Sequence, residues 1–148
     1  MRNVFYMNVV PLYDFKNKVV IAPCTGVGQT VGTISRQVAY AVVDEIMPER
    51  TVLLCLPAYV VKVEEDVEMV RQNPDRIVVI EGCSHTCMTK ILKERGYEPA
   101  KTVYIPNVVV EMGLAVNKSK NRARLGDTEE RVVSEVTRRV VEAARALE

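Results

Sequence analysis

The stretch Lys18-Val19-Val20-Ile21-Ala22-Pro23-Cys24-Thr25-Gly26-Val27-Gly28-Gln29-Thr30 decides the fold class. After one charge its first residues are apolar and do not alternate with polar ones, the composition of a strand buried on both faces of a parallel sheet. A short turn with two glycines follows, and then the period changes. Val31, Ile34, Val38, Ala41 and Val42 recur at intervals of three and four, so the spacing predicts a helix over 29–47 that Pro48 closes.

Working outward, the same alternation repeats. Thr51–Leu56, Arg76–Ile80 and Thr102–Ile105 are further Val-, Ile- and Leu-rich runs introduced by polar residues, and each reads as a strand. Between them, Val63, Val67 and Val70 mark one face of a helix over 64–72, stopped by Asn73-Pro74. Met88, Ile91 and Leu92 mark another, which starts near Ser84 and finishes at Gly96, a residue type suited to the left-handed position after a helix end. The tail 127–148 reads as an amphipathic helix with Asp127 as N-cap, Glu130 three residues on, and Val132, Val133, Val136, Val140 and Leu147 on its apolar face. Val4–Leu12 is a candidate extra strand whose extent Pro11 limits. Strands alternating with helices imply a three-layer α/β/α domain, Rossmann-like, with a mainly parallel sheet of four or more strands and right-handed crossovers. The chain, 1–148, reads as a single α/β domain: 18–115 hold the cysteine-bearing core and 125–148 the C-terminal helix.

Composition narrows the function. Twenty Lys and Arg against 19 Asp and Glu give a net charge of +1, so there is no general attraction for nucleic acid or anionic lipid. The basic run 117–124 has no aromatic residue between its charges to stack on a base and reads as a solvated loop. The apolar runs are of strand length, short of the roughly 20 residues that a membrane span needs, and the first residues carry no secretory signal. The expectation is a cytoplasmic protein with neither nucleic-acid nor membrane partners. The sequence is compatible with a homo-oligomer and with a small-molecule substrate that it does not identify. In a reducing compartment four cysteines point to metal binding or thiol chemistry rather than to disulfides.

The cysteines fall in one place. Cys24 lies just past the first expected strand, Cys55 at the end of the second, Cys83 just past the third, and Cys87 in the first turn of the next helix. All four belong at the carboxyl edge of the sheet, where loops converge and ligands bind in open α/β folds. Cys83-Ser84-His85-Thr86-Cys87 has a spacing that puts two sulfurs on one helical face, and roughly 3.8 Å between sulfurs would suit tetrahedral zinc with Zn–S near 2.3 Å. Helix starts after Cys24 and Cys83 would favour thiolates. Soft thiolates select zinc, copper(I) or iron–sulfur clusters over magnesium or calcium. Three readings stand side by side: a four-cysteine metal site, a reactive thiol or dithiol, and cysteines buried as small apolar side chains. His85, the one histidine, is a candidate fourth ligand in place of Cys55, a general base, or an exposed loop residue. The Cys24–Thr30 loop lacks the Gly-Lys-Ser/Thr ending of a phosphate-binding loop, has Val31 where a third glycine would complete a dinucleotide fingerprint, and has Thr30 where a phosphatase loop has arginine.

Taken together, the strand ending in Cys24-Thr25-Gly26-Val27-Gly28-Gln29, the strand ending in Cys55-Leu56, and Val78-Val79-Ile80-Glu81-Gly82-Cys83-Ser84-His85-Thr86-Cys87 resemble the DGC-domain family of zinc-binding proteins. The motifs span about 19–114. The resemblance implies a zinc ion with Cys24, Cys55, Cys83 and Cys87 as ligands. Glu81 stands where the family name has Asp, and Pro57-Ala58-Tyr59 stands where members tend to have a Gly-rich turn. Four protein ligands would leave no open position, so the implied role is structural or that of a metal carrier. The alternative is a thiol-dependent enzyme, or an open zinc site, with Cys83 or Cys24 as nucleophile and His85 or Glu81 moving protons. An oxidoreductase cycling a Cys83–Cys87 disulfide is a third reading.

Overall fold

The computed structural model describes residues 12–116 and 121–148. The expected strand Val4–Leu12, apart from Leu12 itself, and residues 117–120 of the basic run lie outside that description. Four parallel strands form one sheet in the order β2-β1-β3-β4: β1 Val19–Pro23, β2 Thr51–Leu53, β3 Ile77–Glu81 and β4 Lys101–Tyr104. Val20 pairs with Ile77, Val19 with Thr51, and Val78 with Lys101.

The two central strands are buried throughout, and the pleat divides their side chains between two cores. Val19, Ile21, Val78 and Ile80 face α1 (Thr30–Tyr40) through Ile34 and Val38, and α6 (Asp127–Arg145) through Val132, Val136 and Val140. Val20, Ala22, Ile77 and Val79 face α2 (Leu56–Val60) through Tyr59, α3 (Glu64–Gln72) through Met69 and Val70, and α4 (Cys87–Glu94) through Met88 and Leu92. The expected three layers are therefore present. Each fully buried Val or Ile in these cores contributes about 1.5–3 kcal/mol relative to exposure.

Helix ends largely follow local chemistry. Gly96, at φ +81°, ends α4: its N–H donates to the carbonyl of Lys93 and that of Tyr97 to the carbonyl of Leu92, both at 3.0 Å, while Leu92 and Tyr97 belong to one core. The expected helix 29–47 is one continuous rod, but 41–46 widen into a π-helix, with Met47 N–H donating to Val42 at 2.8 Å. That register shift keeps Val42 and Met47, five residues apart, both buried.

Three expectations are corrected. The second strand stops at Leu53 rather than Leu56, because Asp66 takes the N–H of Cys55 at 2.8 Å and Leu56-Pro57 begin α2. The fourth strand stops at Tyr104, and Ile105-Pro106 open α5 (Ile105–Glu111), which the periodicity did not mark. In α6 the N-cap is Gly126, with no side-chain cap; Asp127, Glu129 and Glu130 instead place acidic groups in the first turn, where the helix dipole favours them.

Candidate metal centre

The order β2-β1-β3-β4 creates a switch point at the carboxyl ends of β1 and β3. The helix after β1 covers one face of the sheet and the helix after β3 covers the other, so the chain parts there and leaves a crevice. Cys24 stands at its floor. Its N–H donates to the carbonyl of Ile80 at 2.8 Å, which extends the β1–β3 ladder by one bond, and its Sγ accepts the N–H of Gly82 at 3.1 Å. The residue is only 7% exposed. A Cβ on Gly82 would lie 3.2 Å from that sulfur and 3.2 Å from Val31, so the glycine leaves room for Cys24.

The other three cysteines lie along the same edge of the sheet. Cys83 is half-buried and close enough to Cys24 for the two to interact electrostatically. Cys87 is exposed and is the first residue of α4. Cys55 is exposed at the N-cap of α2, at the end of the strand on the other side of β1. His85 is also exposed, in the turn before α4. The expected edge placement of all four cysteines is thus what the structure has. Among the described residues, however, no three His, Cys, Asp or Glu side chains gather closely enough in this conformation to hold a metal ion.

Electrostatics separate the sulfurs. Burial pushes the Cys24 thiol above its ordinary value, outweighing the opposing hydrogen bonds from Gly82 and Ser35; the nearby Glu81 and Cys83 push it the same way. Helix α1 begins at Thr30, six positions on. The expectation of Cys24 as a thiol activated by a helix start is therefore corrected: desolvation wins. The cysteines that do stand at helix starts are Cys55 and Cys87.

Two supports of this edge were not recognised as such in the sequence, where Gly32 went unmarked and Glu81 stood out only as the acid at the family's Asp position and as a candidate for moving protons. The first is the packing of the Cys24 loop on α1. Gly26, at φ +42°, turns its carbonyl against Gly32, and a Cβ on Gly32 would fall 2.0 Å from that oxygen. Arg36 donates to the carbonyl of Thr25 and to Thr33 Oγ1, whose hydroxyl in turn donates to the carbonyl of Arg122. A glycine eight positions after the cysteine was the only available signal. The second support is Glu81, 1% exposed, whose Oε1 accepts both the N–H of Thr89 at 2.7 Å and its hydroxyl at 2.9 Å. Burial, the largest influence, raises this carboxyl above its ordinary value despite the bonds from Thr89 and Met88. Between them Thr86 adopts φ +47° and ψ 47°, the left-handed region. For a β-branched residue that conformation costs about 1–3 kcal/mol.

The donor set fits a thiophilic ion in kind, with four free thiols along the carboxyl edge and a glycine that leaves space beside the buried sulfur of Cys24. Comparison with known proteins agrees with the motif reading. No curated protein and no solved structure matches the chain. The family described as DGC domain matches residues 20–140, beyond the 19–114 spanned by the motifs and into α6. With all four cysteines inside that match, the chain belongs to the DGC domain family.

Proposed function

We propose that the protein binds one zinc ion through Cys24, Cys55, Cys83 and Cys87 and acts as a metal carrier rather than as a purely structural zinc protein. The observation that carries this reading is that all four cysteines lie at the carboxyl edge of the sheet, Cys24, Cys55 and Cys83 just past β1, β2 and β3 and Cys87 at the start of α4, with Cys24 buried and Cys55 and Cys87 exposed. A zinc held by four thiolates supplies a crosslink and a charge, with no position left open for chemistry. The chain's own residues divide the work. Gly82 leaves room beside the buried Cys24 sulfur and donates its N–H to it, and the β1–β3 ladder fixes its position. Cys55 and Cys87, at helix starts and in contact with solvent, would supply the outer thiolates of the site, and their exposure would offer an incoming thiol a route for ligand exchange. A carrier needs that route and a structural site does not. Thiolate ligation suits a reducing compartment such as the cytoplasm. No helix among the described residues is long and apolar enough to cross a membrane.

Elemental analysis of the purified chain is expected to give about one zinc per molecule, and Cys87→Ala about none, at the stoichiometry of a single four-cysteine site. Equal metal in the two proteins removes the proposal.

A second reading has one observation in its favour. Cys87 is exposed at the first position of α4, where its sulfur is open to a substrate from solvent. Thiol titration at neutral pH separates the two: one fast thiol in zinc-loaded protein supports the enzyme, and four thiols released together by a chelator support the carrier.

A further inference from the structure

The loop that bears two of the four cysteines has a problem at its own helix start. Thr86, the N-cap of α4, is left-handed and makes no side-chain cap bond, so the first N–H groups of the helix need another acceptor. Strand alternation supplies one. Ile77 and Val79 face the α3–α4 side of the sheet, and Glu81, two further on, faces the same side at the end of β3. Its carboxylate lies under the first turn of α4 and accepts both the N–H and the hydroxyl of Thr89.

We propose that Glu81 is the positioning residue of the cysteine edge: by clamping Thr89 from below, its carboxylate fixes the first turn of α4 and thereby the direction from which Cys83 and Cys87 approach Cys24. This rests on the metal-binding reading above. Geometry is the reason to assign positioning rather than ligation. Both polar groups of Thr89 converge on Oε1, so this oxygen serves the helix. Charge points the same way, because an anion beside a cluster of thiolates disfavours them and does not bring them together. The benefit of Glu81 must therefore come through the helix it holds. Cys83 and Cys87 bracket the strained Thr86, so any loosening of the clamp lets the turn relax and the two sulfurs drift.

The test uses the full chain with zinc, and with cobalt(II) as a spectroscopic probe. In Glu81→Ala, zinc affinity measured by chelator competition is expected to fall by about 10–100-fold, the usual range for residues that orient ligands without touching the metal. The thiolate-to-cobalt absorption at saturation is expected to keep its wild-type position and intensity. Glu81→Gln keeps an acceptor of the same length and is expected to stay near wild type. Thr89→Val, which leaves Glu81 in place and so guards against misfolding of the alanine variant, is expected to fall between them. A changed cobalt spectrum in Glu81→Ala makes Glu81 a ligand and overturns the proposal. A lowered melting temperature with unchanged affinity in the folded protein makes it merely structural and also overturns it. Where wild type gives no thiolate–cobalt band, the metal reading fails by itself and the clamp is judged on metal-free protein: faster amide exchange at Met88 and Thr89 in Glu81→Ala upholds it, and unchanged exchange refutes it.

Discussion

The β1–α1 junction and the β3–α4 junction face each other across the switch point and hold their cysteines by different means. At the first, backbone meets backbone: Gly26 and Gly32 interlock, Arg36 ties down Thr25, and Cys24 continues the sheet ladder below the surface. At the second, a half-exposed turn carries a strained threonine and is held by one buried carboxylate. The contrast separates two ways of placing a donor. Interlocked backbone fixes a sulfur whether or not a ligand is present, whereas a strained turn under a clamp can shift when a ligand gives it reason to. For the proposed metal site, one fixed donor and several adjustable ones would not require a site that is closed beforehand.

The largest effect is expected where backbone interlocks. Gly32→Ala would place a Cβ 2.0 Å from the Gly26 carbonyl, a contact that no side-chain rotation relieves. We expect a loss of roughly 3 kcal/mol or more in urea unfolding. Gly28→Ala, in the same loop with nothing near its Cβ, serves as the control and is expected to stay within about 0.5 kcal/mol of wild type. Equal effects at the two glycines would mean that the first junction is not interlocked.

The second junction is expected to respond in the opposite sense. Thr86→Gly frees the residue from its left-handed strain, and after the entropic cost of glycine the metal-free protein should gain about 1 kcal/mol, a rise in Tm of about 2–4 °C. Zinc affinity should fall in the same variant, since the relaxed turn no longer presents Cys83 and Cys87 together. A variant that is both less stable and unchanged in affinity would remove strain from the account of this edge.

Much of the architecture was legible in the sequence because burial on both faces leaves a plain mark: β1 and β3 were bounded to within a residue by their unbroken apolar runs. Errors arose where such a run crossed into a helix. Leu56 and Ile105 continue the strand composition, yet Pro57 and Pro106, at the first turns of α2 and α5, were the better guide, since proline is tolerated at a helix start and not in a central strand. The edge location of the four cysteines followed from element order alone. The supports did not. Gly32 is needed because of a carbonyl that only the folded loop brings to it, and Glu81 acts through Thr89, eight residues on, by way of a turn whose left-handed residue is a threonine. Neither relation has a periodicity or a spacing rule to announce it.

The smallest effect leaves stability untouched and reads the contrast directly in rates. In metal-free protein, limited alkylation followed by peptide mass analysis is expected to label exposed Cys55 and Cys87 first, Cys83 next and Cys24 last. Two causes hold Cys24 back: its burial, and a thiol pushed above its ordinary value of 9.0, which lowers the fraction present as reactive thiolate. The sign of the pH dependence follows. A group whose folded pKa is raised contributes stability that is complete below the unfolded value and lost as pH rises through the folded one. Below pH 9 the native state therefore keeps Cys24 protonated, and its labelling requires the crevice to open; mild urea should accelerate Cys24 far more than Cys87. Zinc should slow all four together. Cys24 reacting as fast as Cys87 at neutral pH would place the fixed donor on the wrong side of the crevice and reverse the roles assigned to the two junctions.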